Sequence, residues 1–223
     1  MEPTASTDRV EEVLGPRDVV IVDGPDAATY LHSQVTQDLQ GMALGEHRWT
    51  FVLEPNGKVD SLARVTKVAD ERYELDTDAG HGGALLARLD RFKIRVEADT
   101  SLAPATEHEE AVDEAARIEI GWPRLGVEIV PGETIPPGTG LTRIAVCYTK
   151  GCYPGQELVE RMDSRAAQAP RSLRRLDVPE GTRPGDPVLD DDGVAVGVVT
   201  SVAGTRALGW VQRTSDLGAI VQF

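Results

Sequence analysis

The stretch "HRWTFVLEPNGKVDSLARVTKV", 47 to 68, restricts the possible folds more than any other part of the chain. Two β-rich runs flank Pro55-Asn56-Gly57, a turn signal that predicts an antiparallel hairpin. Strands joined this tightly leave no room for a crossover helix, so at least this part of the sheet is not of the parallel βαβ kind. The neighbouring segments extend the pattern. "RDVVIVD", Arg17 to Asp23, reads as a buried strand. A helix is expected to follow, with Asp23 as N-cap, Pro25 in the first turn, and Leu31, Val35 and Leu39 at four-residue steps. "ERYELDTD" supplies a third β run. "GGALLARLDRF" is a helix with Leu85, Leu86, Leu89 and Phe92 on its apolar side, and "KIRVEAD" alternates like a strand. Strand, helix, three strands, helix, strand is an α+β order.

Beyond Asp99 the texture changes twice. "TSLAPATEHEEAVDEAAR", 100 to 117, reads as an acidic linker with a short helix, and "RIEIGWPRLGVEIVPGETIPPG" as turn-rich chain. A helix is expected over 156–168. From Arg171 onward, short β runs alternate with "PEGTRPGDPV", "DDDG" and "VAGTR", the pattern of a small C-terminal β-barrel. A boundary near Gln168–Arg171 would divide the chain into 1–168 and 169–223.

Charge and cysteine count exclude several functions. Thirty-seven acidic against 23 basic residues give a net charge of -14, which disfavours broad contact with a phosphate backbone. The one tight basic cluster, Arg171, Arg174 and Arg175, reads as a solvated strand edge. No apolar run approaches the roughly 18 residues of a membrane span. The N-terminus lacks the apolar region of a signal peptide. Cys147 and Cys152 cannot make a disulfide framework, so a reducing, cytoplasmic setting is expected. His32, His47, His81 and His108 are scattered, and no metal centre is expected from this chain alone.

One short segment remains unexplained by packing. In "TKGCYPGQELVERM", Thr149 to Met162, glycines and a proline surround a single cysteine just before a helical pattern. Cys152 is therefore expected on a tight loop near a helix N-terminus, where Lys150 and the macrodipole favour its thiolate. The other reading of Cys152 is a small buried hydrophobe.

"KGCYPGQE", Lys150 to Glu157, resembles the signature of the YgfZ-type folate-binding proteins, relatives of the glycine cleavage system T-protein, an aminomethyltransferase. "DAATYLHSQVTQDL", "LEPNGKVDSL" and "GDPVL…VGVVTSV…ALGWV" are also similar to that family, so the likeness runs from about Arg17 to Val211. The resemblance implies a T-protein-like α+β fold that binds tetrahydrofolate, in two subdomains with the second one shortened, followed by a C-terminal β-barrel. It implies an accessory protein supporting the assembly or repair of iron–sulfur clusters in client enzymes, among them enzymes that modify tRNA. Cys152 would be the reactive thiol, with Lys150 beside it, and Tyr153, Gln156 and Glu157 would belong to the folate site.

Three further positions follow from the same resemblance. Arg117, Glu119 and Gly121 match the T-protein pattern R-x-E-x-G, in which a carboxylate accepts two N–H bonds from the pterin. Trp122 either stacks on the pterin or serves as a core or lid aromatic. Asp60 matches the first acid of the transferase's acidic pair, but Ser61 stands where the second would fall, so Asp60 is either a relic or a hairpin residue facing water. The broken pair favours the accessory reading over an aminomethyl or one-carbon transferase. A third reading, a thiol redox protein, would need Cys147 and Cys152 to approach within about 6 Å. Relatives also carry a block of strands where this chain has only 100–117, which would leave the folate cavity more open.

Overall fold

The computed structural model describes residues 9–103, 113–164 and 169–223. Strands β1 (Arg17–Asp23), β2 (His47–Leu53), β3 (Val59–Ala69), β4 (Arg72–Asp78) and β5 (Asp99–Leu102) form one antiparallel sheet in the order β2-β3-β4-β1-β5. The expected hairpin is β2–β3, from His47 opposite Thr66 to Leu53 opposite Val59. The period of two along β2 sorts its side chains between two cores. Val52 joins Val20, Val22, Leu31, Leu85 and Leu89 beneath α1 (Ala27–Gln34) and α2 (Gly82–Arg91). Trp49, Phe51 and Leu53 point the other way, into a larger core shared with α3 (Glu114–Ile120) and the C-terminal sheet. An eight-residue helix such as α1 is not stable alone, so burial of Tyr30 and Leu31 holds it.

The remaining elements are α4 (Thr142–Ala145), α5 (Gln156–Ser164), β6 (Arg171–Asp177), β7 (Pro187–Leu189), β8 (Ala195–Ala203), β9 (Arg206–Gln212) and β10 (Ala219–Ile220). The five strands form a second antiparallel sheet, β10-β6-β9-β8-β7. Leu173 and Leu208 face the large core, while Leu176, Val199, Ala207 and Val211 face a small one of their own.

The structure corrects the expected elements in five places. Asp23 ends β1 instead of capping a helix. α1 stops at Gln34, because Val35 is extended and pairs with Val52. "KIRVEAD" is not a strand. Ile94 is 75% exposed, Arg95 has a positive φ, and the backbone at Glu97 bonds Asp26 instead of a ladder partner. β5 begins only at Asp99. "RIEIG" is the body and C-cap of α3, not a turn; Asp113 caps its start, accepting from the Ala116 N–H at 3.0 Å, and Gly121 ends it at φ 83°. Finally, the second sheet does not close into a barrel among the described residues: β10 and β7 are its two edges. Residues 165–168 of the expected last helix and His108 lie outside the described residues, as does part of the expected boundary. No helix among the described residues is long and apolar enough to cross a membrane.

Candidate functional site

The loop carrying "KGCYPGQE" is seated by backbone contact. Gly155 has φ +83°, and a Cβ there would lie 2.5 Å from the Glu54 carbonyl oxygen and 2.9 Å from Gly57 Cα. Gly57, at φ +86°, has the same constraint against Leu158, 2.4 Å away. Only glycine meets both the backbone conformation and the distance. The loop therefore rests directly on the β2–β3 turn. Gly151 differs: its Cβ direction opens into free space.

A second anchor is Lys150. Its ammonium donates to the carbonyls of His32 (2.5 Å), Val35 (2.6 Å) and Gln37 (3.1 Å), closing the end of α1. It also lies 5.2 Å from the centre of the Tyr153 ring. Burial lowers the Lys150 pKa to about 8, with Asp38 and Cys147 opposing the shift. His32 beside it is pushed down by burial and then by Lys150, and its Nδ1 accepts from the Leu39 N–H at 3.3 Å, as a neutral imidazole does. The segment after α1 holds the other end of the loop: Thr36 Oγ1 donates to Ala145 O at 2.6 Å, Gln37 Nε2 to Ile144 O at 2.7 Å, and Cys147 N–H to Thr36 O at 2.9 Å.

Cys152 lies on the loop before a helix, as expected, but without Lys150 as its partner. Cys152 is exposed and lies four residues before α5 begins, while Lys150 turns its ammonium to α1. Cys147 is the thiol with a built environment. Its Sγ lies 3.4 Å from Thr149 Oγ1, and that hydroxyl, together with the backbone N–H groups of Thr149 and Lys150, draws its pKa below the ordinary thiol value. Of the other signature residues, Tyr153 is buried with an unpartnered hydroxyl, and burial raises its pKa. Gln156 bonds Glu160 and the Tyr153 N–H, bracing the first turn of α5, and Glu157 faces solvent.

On the hairpin, Asp60 is half-buried and does not simply face water. Burial raises its pKa; the Ser61 hydroxyl (3.0 Å) opposes this, and a hydrogen bond with the Glu54 carboxyl adds to it. Arg88, buried against the same corner, donates to Leu53 O at 2.7 Å and stacks 4.1 Å over Phe92, while its Nε–H has no partner. Burial lowers the Arg88 pKa, and Asp60 and Glu54 oppose that. Sequence reasoning missed Glu54 and Arg88. Arg88 had a signal: it lies between Leu85 and Leu89 on the buried side of α2.

The residues matched to R-x-E-x-G lie elsewhere. Arg117 is fully buried and its donors are taken: Glu114 (2.6 and 2.9 Å), Glu128 (3.1 Å), Ser201 Oγ (2.7 Å) and Trp122 O (2.5 Å). Trp122 packs against Trp49 and Phe223 at 4.6 and 5.2 Å, a core aromatic with no face left for a pterin. Glu119 is exposed on the outer side of α3, not in a cleft. The pattern here is that of a helix C-terminus: an arginine four residues before the αL glycine, both set by packing.

No family model matches the chain. A protein of Haemophilus influenzae described as uncharacterized is 24% identical over 250 residues, covering 92% of this chain and 89% of that one. Among solved structures, the crystal structure of the glycine cleavage system aminomethyltransferase T from Bartonella henselae is similar, with a TM-score of 0.75 at 17% identity. It covers 92% of this chain and 81% of that one. The fold is thus similar to that of the aminomethyltransferase T-protein.

Proposed function

We propose that this chain is a folate-binding accessory protein that supports iron–sulfur cluster assembly or repair in client enzymes, in the manner of the YgfZ-type proteins. One observation carries the reading: three of the four segments quoted for the resemblance meet at one corner. The Lys150–Glu157 loop rests on the hairpin turn next to Asp60 and closes the end of α1. This reading takes the thiols and the carboxyls of that corner as parts of one site. Tetrahydrofolate is the expected ligand, with the Glu54–Asp60 pair meeting its polar atoms, and Cys147 joins Cys152 as the thiol candidates.

Calorimetric titration with tetrahydrofolate tests the ligand: binding should weaken about tenfold in Asp60→Asn, roughly one hydrogen bond to a charged group. Unchanged affinity would place the folate elsewhere. Alkylation rate against pH tests the thiols. Cys147 should titrate below about 8.5, the free-thiol value, and Thr149→Val should raise it. Cells lacking the protein, complemented with Cys147→Ala or Cys152→Ala, then show which thiol the cluster enzymes need.

A second reading has its own observation. Glu54 brings a second carboxyl to Asp60, where Ser61 had removed it from the transferase pattern. Turnover of an aminomethyl-loaded carrier protein with tetrahydrofolate, lost in Glu54→Gln, would favour a one-carbon transferase.

A further inference from the structure

The second sheet curls without closing, and a cavity of about 620 Å³ lies where its edges face each other. Pro187, Val188 and Leu189 of edge strand β7 line one side. Leu217 and Gly218, which lead into edge strand β10, line the other, with Leu176, Val178 and Pro179 between. The floor is the small core of Leu176, Val188 and Val199, and Val178 and Leu217 cover it only in part. Leu189 is 51% exposed beside it. This volume is within the range of sites that take an apolar group the size of a few side chains.

Two features determine what fits. The first is the edge itself. Pro187 has no N–H, and a bulge falls between Val188 and Leu189, so β7 is a poor template for adding a strand. Recognition must come from side chains entering the cavity. The second is charge. Residues 177–192 carry Asp177, Glu180, Asp186, Asp190, Asp191 and Asp192 against Arg183 alone, six acids minus one base, a net of −5. Asp177 pairs with Arg206 at 2.8 Å, and Asp186 and Asp190 accept backbone N–H groups. Glu180, Asp191 and Asp192 form no ion pair among the described residues.

We propose that this cavity docks a segment of a partner protein in which apolar side chains alternate with lysine or arginine. The apolar groups fill the gap between β7 and β10, and the basic ones meet the acidic flank. This rests on the C-terminal sheet alone and stands whether or not folate binds.

The test uses the full chain and a fluorescein-labelled nonapeptide in which lysines flank two leucines, followed by fluorescence polarisation. Saturable binding is expected. A peptide of equal charge with serine for leucine should bind at least tenfold more weakly. Leu189→Asp should cost a similar factor, with its melting temperature unchanged because the side chain is already half in water. The triple variant Glu180→Gln, Asp191→Asn, Asp192→Asn should weaken binding and flatten its salt dependence. Equal binding of the leucine-free peptide, or no effect of Leu189→Asp, would reduce the interaction to bulk charge and overturn the proposal. A concentration-dependent dimer that Leu189→Asp abolishes, with no peptide binding, would instead make a second copy the occupant and overturn it as well.

Discussion

The corner around Lys150–Glu157 and the Arg117–Glu128 cluster beneath α3 are both polar, both partly buried, and both marked by a sequence motif. They differ in how completely their polar groups are paired. Every donor of Arg117 has an acceptor, Glu128 is wholly buried beside it, and Ser201 Oγ closes the network by donating to Glu128 at 2.5 Å. The first corner leaves the Arg88 Nε–H and the Tyr153 hydroxyl unpartnered, lowers the pKa of Lys150, and raises that of Asp60. A satisfied network holds a structure together; unsatisfied, titration-shifted groups are what a binding or reacting site leaves available.

The contrast can be broken by measurement. Its largest expected effect is on stability at the satisfied cluster. Arg117→Met leaves Glu128 charged and buried and should cost about 3–5 kcal/mol in urea unfolding. Pairing it with Glu128→Leu should recover much of that loss; no recovery would mean the cost came from packing. Next comes the backbone seat of the loop. Gly155→Ala should lose about 1–3 kcal/mol, while Gly151→Ala stays within about 0.5 kcal/mol. Equal losses would contradict the seating.

A smaller effect is expected at Asp60, and it has a sign. Folding raises its pKa, so below the unfolded value the neutral acid sits in the fold without penalty. As pH rises through the folded pKa the stability it allows is lost, because a charge is then buried beside Glu54. Asp60→Asn should therefore gain stability relative to the parent at pH 8, with the gain shrinking toward pH 4. A pH-independent difference would show that folding does not raise the Asp60 pKa. The smallest effect is at Glu119: Glu119→Gln should leave stability within about 0.5 kcal/mol and any folate affinity unchanged. A tenfold loss of that affinity would return α3 to the ligand site.

Much of the first sheet was legible from residue pattern. Strand β1, the hairpin and α2 follow from alternation, turn chemistry and helical spacing, all of them local. The failures came where a distant contact overrode the local signal. Val35 leaves α1 because Val52 offers a ladder partner, and "KIRVEAD" gives up its alternation because Asp26 takes the Glu97 backbone. The candidate site was only half legible for the same reason. "KGCYPGQE" stood out by composition, but its setting depends on Glu54, Arg88 and the end of α1, brought in by the fold. Arg117, Glu119 and Gly121 matched a pattern whose spacing is also that of a capped helix end, and spacing cannot separate the two. Burial can.

The cage around Lys150 also sets an order of events in folding. The bonds that close α1 span 118, 115 and 113 residues, and Thr36 reaches Ala145 across 109. The first sheet, by contrast, lies wholly within residues 17–102, and short turns join β2 to β3 and β3 to β4. Long loops close late, after local pairing has reduced their entropy cost. On a ribosome the first sheet can form while residue 150 is still unmade, with the last turn of α1 frayed and its carbonyls in water. The corner with thiols, carboxyls and basic groups is then completed after the first sheet, and amide protection at Val35 should report its completion.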